Sequence, residues 1–318
     1  MGHDQIFKDF LRAFLKDFLE LFFPKVEARL DFGDLRFLDT ESFTSFPEGS
    51  SRAADIVAEV RRRNRARKIL LVHVEVQAER RRTFRKRMFE YFTLLWMKHR
   101  VPIFPVAVYL RGGRSTLDEE RFVMRLFGRE QLVFRFPVVA LARFDARGYV
   151  EKDSPVAAAL ASLMSRRGDR APLNLRVSMM ERVEQSGLDE ARKFLLLNLI
   201  ETYFELAGDE QQKFERLLSR ERYREVKKMQ LTWADKMKEE GRKEGLQKGR
   251  QEGRQEGQRE GQLEGKREAL LQLLTSKFGP LPEKSASRVR AIESLEQVDR
   301  YLDRVLVASS LADMGLGD

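Results

Sequence analysis

Apolar positions in the front of the chain follow two rhythms. Phe7, Phe10, Leu11, Phe14, Leu15, Phe18, Leu21 and Phe22 recur every three or four residues, which predicts an amphipathic helix ended by Pro24. A strand around Leu35 to Leu38 and a turn at Glu48-Gly49-Ser50-Ser51 follow. From Ala53 to Val60 the period falls to two, with Ala54, Ile56, Ala58 and Val60 on one face and Asp55, Val57 and Glu59 on the other. The same period from Ile69 to Gln77 sets Leu71, His73, Glu75 and Gln77 against Leu70, Val72, Val74 and Val76. A helix from Phe84 to His99, with Phe84, Met88, Tyr91, Phe92 and Leu95 on one side, closes at Pro102. A strand from Ile103 to Leu110 then ends at Gly112-Gly113. The order is αβββαβ, an α/β class. A strand from Phe134 to Phe144 and helices over Met179 to Leu206 and Asp209 to Met237 are expected behind it.

Asp55 and Glu75 are charges embedded in apolar strand patterns, where an unpaired carboxylate is costly. Two carboxylates at one sheet edge repel unless a cation lies between them. Oxygen ligands favour a hard divalent ion, Mg²⁺ or another such as Mn²⁺ or Ca²⁺. Such an ion polarises a phosphodiester and acidifies water, the chemistry of phosphate-ester hydrolysis. Gln77 lies on the face of Glu75, roughly 6.6 Å along the strand, whereas Glu59 is roughly 13 Å from Asp55 and outside the pair's reach. His73 has two readings, a group supporting Glu75 or a half-buried strand residue, and the structural reading is favoured.

The arrangement resembles the PD-(D/E)XK nuclease superfamily, and in particular its bacterial recombination-promoting nuclease and putative transposase branch. The residues that carry the resemblance are His3-Asp4 with Phe7-Lys8, Arg52-Ala53-Ala54-Asp55, Val74-Glu75-Val76-Gln77, Arg87 with Tyr91, and Pro105-Val106-Ala107-Val108-Tyr109. It covers about the first 230 residues. It implies a restriction-endonuclease-like core and a Mg²⁺-dependent DNA endonuclease linked to recombination or mobile DNA. Asp55 and Glu75 would be metal ligands, the carbonyl of Val76 a candidate third oxygen, and Gln77 would stand in the place of the superfamily's lysine. An amide orients a water or phosphoryl oxygen but carries no charge, so a non-catalytic DNA-binding or assembly protein on a degenerate nuclease scaffold is the alternative.

Charge fits a nucleic-acid partner. The 318 residues carry a formal charge of +10. Arg61, Arg62, Arg63, Arg65, Arg67 and Lys68 lie between the acid-bearing strands, and Arg80, Arg81, Arg82, Arg85, Lys86 and Arg87 follow Gln77. If the strands pair, both clusters are expected to flank the carboxylates and attract phosphate backbones with little sequence preference. The absence of Cys and the presence of only three His exclude disulfides and argue against Cys/His zinc sites. No apolar run reaches about eighteen residues and no signal-peptide pattern opens the chain, so a cytoplasmic protein without membrane contact is expected.

Gly241, Gly245, Gly249, Gly253, Gly257, Gly261 and Gly265 recur every fourth residue among Glu, Gln, Lys and Arg. Each glycine in a helix costs roughly 1 kcal/mol relative to Ala. The stretch is either a linker or a polar helix whose glycines admit a partner, and the regular phase favours a self-associating helix. The expected organisation is a nuclease-like core over 1–150, a helical extension over 151–235, the glycine segment over 236–265 and a small helical domain over 266–318. That last domain resembles the one of unknown function often found behind this nuclease type. With the glycine segment it is the expected site of homo-oligomer contact.

Overall fold

The structure, a computed structural model, describes residues 3–38, 55–63, 69–77, 83–168 and 171–317. The expected turn at Glu48 to Ser51, and Ala53 and Ala54, lie outside the described residues. The chain forms two compact units, Met1–Ala234 and Asp235–Asp318.

The first unit is α/β. In order it contains α1 (His3–Phe22), α2 (Pro24–Glu27), β1 (Leu30–Phe37), β2 (Ile56–Arg62), β3 (Ile69–Gln77), α3 (Phe84–His99), β4 (Ile103–Tyr109), β5 (Leu117–Leu126) and β6 (Arg129–Ala140). Helices α4 (Ala146–Val150), α5 (Pro155–Leu160), α6 (Pro172–Glu184), α7 (Glu190–Tyr203) and α8 (Gly208–Leu218) follow, then α9 (Arg224–Phe278), which runs on into the second unit. The six strands make one mixed sheet in the order β1-β2-β3-β4-β6-β5. β1, β2 and β3 form an antiparallel meander, α3 carries the chain across so that β4 runs parallel to β3, and β6 runs parallel to β4.

Period-2 patterning places apolar side chains on both faces of this sheet, and each face is covered. Val72, Val74 and Val76 share one core with Phe7, Phe10, Leu11 and Phe14 of α1 and with the helices after β6. On the other face Val57 and Leu71 pack with Tyr91 and Leu95 of α3, while Phe84 and Met88 pack with Ala107, Tyr109 and Phe136. Arg100, left-handed at φ 53°, ends α3. The turn after β4 requires glycine at Gly113: at φ 92°, a Cβ there would lie 2.3 Å from the Cβ of Ala140.

Several expected boundaries shift. β1 begins five residues before the expected Leu35, because Leu30 is buried and pairs with Arg62. β6 starts at Arg129 and ends at Ala140, followed by a 3₁₀ turn over Leu141–Arg143 where the sequence suggested more strand. β5 was not foreseen. The helical stretch from Met179 to Met237 divides among α6, α7, α8 and α9.

In the second unit the glycine segment is helical, being part of α9. The end of α9 packs with α10 (Glu283–Arg290) and α11 (Leu295–Val307) around Leu270, Leu274, Val289, Ile292, Val298 and Val305. Among the described residues no helix is long and apolar enough to cross a membrane.

Candidate active site

Antiparallel pairing of Ile56 with Val74 puts Asp55, the residue before β2, level with Glu75 on β3. Main-chain groups then lock the two acids together. The Asp55 N–H donates to Oε1 of Glu75 at 3.0 Å, and the Val76 N–H donates to Oδ2 of Asp55 at 2.8 Å. Glu75 is 1% exposed and the Asp55 side chain 13%, so both anions sit where water compensates little.

Cations arrive from both covering layers. From α1, Lys8 places Nζ 2.8 Å from Oδ1 of Asp55. From α3, Arg87 brings Nη2 to 3.6 Å from Oε2 of Glu75. Even so, the Asp55 carboxyl is pushed up to about 6, first by burial and then by the Glu75 charge, against the lowering contacts of Lys8 and the Val76 N–H. Burial thus outweighs the Lys8 and Val76 contacts at Asp55.

His73 is fully buried beside them, its ring edge-on to Tyr91 at 5.8 Å. Its Nε2 lies 3.0 Å from Oε1 of Glu75, and a neutral ring donating there leaves Nδ1 as an acceptor, for which no partner exists among the described residues. This contact joins the two readings of His73: the residue is core, and it touches Glu75. The Gln77 side chain donates from Nε2 to the Val76 carbonyl at 2.7 Å, so Gln77 and the candidate third oxygen are bonded to each other.

Lys8 is a site residue to which the sequence alone assigns no role. A lysine on the amphipathic helix beside Phe7 carries no local signal of a partner 47 residues on. Only the packing of α1 on the sheet reveals it.

The basic clusters do not both flank the acids, which corrects the expectation. β2 runs away from Asp55, so Arg61, Arg62 and Arg63 stand at the opposite end of the sheet. Arg61 pairs with Asp34, and Arg63 donates to the Leu30 carbonyl at 2.7 Å and approaches Glu27 at 3.8 Å. On α3, Arg85 faces Glu120 at 3.9 Å, Lys86 faces Glu90 at 3.5 Å, and Arg87 belongs to the carboxylate pair. Arg65, Arg67, Lys68, Arg80, Arg81 and Arg82 lie outside the described residues.

Among the described residues no group of three or more His, Cys, Asp and Glu is placed to hold an ion. The oxygen set at this site is two carboxylates and one main-chain carbonyl. Comparison with protein-family models, with curated proteins and with solved structures found no match to this chain.

Proposed function

We propose that this chain is a metal-dependent DNA endonuclease with a PD-(D/E)XK-like core. The observation that carries the reading is the level placement of Asp55 and Glu75 across β2 and β3, each anchored by a main-chain N–H. The order αβββαβ, with an antiparallel meander and a parallel crossover through α3, is the arrangement expected of such a core.

The residues fit a hard divalent ion such as Mg²⁺, Mn²⁺ or Ca²⁺. Asp55, Glu75 and the carbonyl of Val76 would hold it, all through oxygen, in a largely buried setting. A bound ion supplies Lewis acidity at the phosphoryl group. The chain supplies the rest: His73 and the Asp55 N–H fix the Glu75 carboxylate, and Lys8 provides beside Asp55 the positive charge that Gln77 lacks. An ammonium held in a partly buried site stabilises charge developing on a phosphate more than it would in water. DNA is the proposed partner, and the glycine segment from Gly241 to Gly265 the proposed contact between copies.

One observation favours the non-catalytic alternative. Lys8 and Arg87 already face the two carboxylates, and the Gln77 amide is engaged with Val76. Cleavage of supercoiled plasmid with and without Mg²⁺ or Mn²⁺ decides between them. Nicking that needs the ion and disappears in Asp55→Ala, with DNA binding retained, is expected of the endonuclease. Binding without cleavage under every ion leaves the scaffold reading.

A further inference from the structure

β4 pairs with β6 only at Val138, Val139 and Ala140. The remainder of β6 has β5 as its neighbour, and residues 124–131 are all exposed. The two strands therefore form a ribbon that leaves the sheet. Its root is fixed by aromatic contacts to α3, with Phe122 stacked on Phe89 at 5.1 Å and Phe134 against Phe92 at 4.8 Å.

The tip is a two-residue turn, Phe127-Gly128, with both residues left-handed at φ 50° and 77°. Asn, Asp or Gly normally occupies the first of these positions, since a bulky side chain there is strained. Phe127 is nevertheless 94% exposed, with Leu126 and Met124 about half exposed behind it. Neither turn chemistry nor burial accounts for a phenylalanine at this place. Arg125 and Arg129 stand near the turn with Glu130, and Arg121 and Arg135 lie opposite each other farther down the ribbon beside Glu119 and Glu120, four arginines against three acids. Arg125 and Arg135 are held by Glu130 and Glu119, whereas Arg121 and Arg129 are exposed and have no ion pair among the described residues.

The sheet register fixes where this tip lies. Glu75, Ala107 and Val138 are level, and Phe127 is eleven residues back along β6, a run of about 35 Å of strand from that level. That spacing is close to one turn of B-form duplex. The tip projects at the same end of the sheet as Arg61, Arg62 and Arg63. A two-stranded ribbon fits a DNA groove, and an apolar side chain at such a tip unstacks a base step.

Resting on the endonuclease reading for its choice of partner, we infer that the β5–β6 ribbon is a second contact with duplex DNA. Phe127 wedges at a base step about one helical turn from the carboxylate pair, Arg129 takes a phosphate beside that step, and Arg121 takes one farther along the ribbon.

The test uses the full-length chain and duplexes carrying 2-aminopurine at successive positions, read by fluorescence and anisotropy, with plasmid cleavage in parallel. The informative variant is Phe127→Asn, which suits the turn and keeps the fold. Wild type and Asp55→Ala should both brighten 2-aminopurine at one position. Phe127→Asn should lose that signal and bind about tenfold more weakly. Arg129→Gln should reduce the salt dependence of binding. If Phe127→Asn binds and unstacks like wild type, the wedge is refuted while any metal-dependent cleavage still supports the endonuclease. If no variant cleaves but the Phe127-dependent signal persists, the ribbon contact stands and the endonuclease reading fails. Loss of vesicle binding or of dimer mass in Phe127→Asn, with DNA binding unchanged, would assign the tip to a lipid surface or to a second copy and overturn the inference.

Discussion

The main-chain N–H of Asp55 donates to Oε1 of Glu75, a direct bond between two acids twenty residues apart in the chain. Glu75 is thus both an anion and an acceptor. Glu75→Gln keeps the acceptor, while Glu75→Ala leaves the Asp55 N–H and His73 Nε2 unpaired at a cost of about 1–3 kcal/mol each. Both should abolish cleavage. Urea unfolding should place the Gln variant near wild type and the Ala variant well below it; equal stability of the two would show that these bonds contribute nothing.

Asp55 gives the fold a defined pH dependence. Its carboxyl lies at about 6 in the folded chain against an ordinary 3.8, so between these values the folded state holds a proton that the unfolded state has released. The stability from this group is full below about pH 4, falls as pH rises to about 6, and stays lost above. The full window amounts to about 3 kcal/mol. Asp55→Asn should therefore gain on wild type as pH is raised through that window. A wild-type-to-variant difference that does not change with pH in urea titrations would show that Asp55 is not raised.

A divalent ion bound between the two carboxylates should offset their mutual repulsion. Excess Mg²⁺ or Mn²⁺ should raise the melting temperature of wild type, by about 2.7 kcal/mol of stabilisation at a hundredfold over Kd. Chelation should reverse the gain, and Asp55→Asn should show little of it. Identical melting with and without the ion would remove these residues as its ligands.

Lys8 is expected to act through its charge. Lys8→Met removes the ammonium beside Oδ1 of Asp55 and should slow single-turnover cleavage by about a hundredfold or more, with DNA binding within a fewfold of wild type. Adding Gln77→Lys to that variant should recover part of the rate, since it returns an ammonium from the neighbouring strand. A double variant as slow as Lys8→Met would mean that position, and not charge alone, is required.

Open space surrounds the place of a Cβ at each of the seven tetrad glycines. Leucine at Gly249, Gly253 and Gly257 should therefore strengthen the helix of a single chain and block close approach of a second one. Sedimentation should report a lower mass and circular dichroism more helix per chain. Unchanged mass would make the segment a spacer.

What the sequence made legible was local. The alternation around Val72, Val74 and Val76 and the stripe from Phe7 to Phe22 gave the strand and the helix because burial imposes the period of each element. Asp55 and Glu75 stood out as charges inside those patterns. β5 escaped because Asp118, Glu119 and Glu120 interrupt its apolar rhythm and because Phe127-Gly128 does not read as a turn. The place of Arg61 to Arg63 was misjudged for a different reason. Strand direction relative to the acids is a property of pairing, and a turn next to two strands in sequence joins only one end of them. Lys8 and the contact of His73 with Glu75 needed the packed layers.

The four charges of the site come together over unequal stretches of chain. Asp55 and Glu75 meet when a twenty-residue loop closes between adjacent antiparallel strands, whereas Lys8 must return across 47 residues and only with α1 in place. Loop-closure entropy grows with that separation, so the negative pair is the cheaper one to assemble. A chain with the β2–β3 hairpin formed and α1 undocked holds two crowded acids with no Lys8 to answer them. Docking of the first helix then removes electrostatic strain as well as apolar surface. A truncation that removes α1 and spares every strand is therefore expected to leave the pair without the Lys8 charge, with Arg87 as the remaining cation beside it.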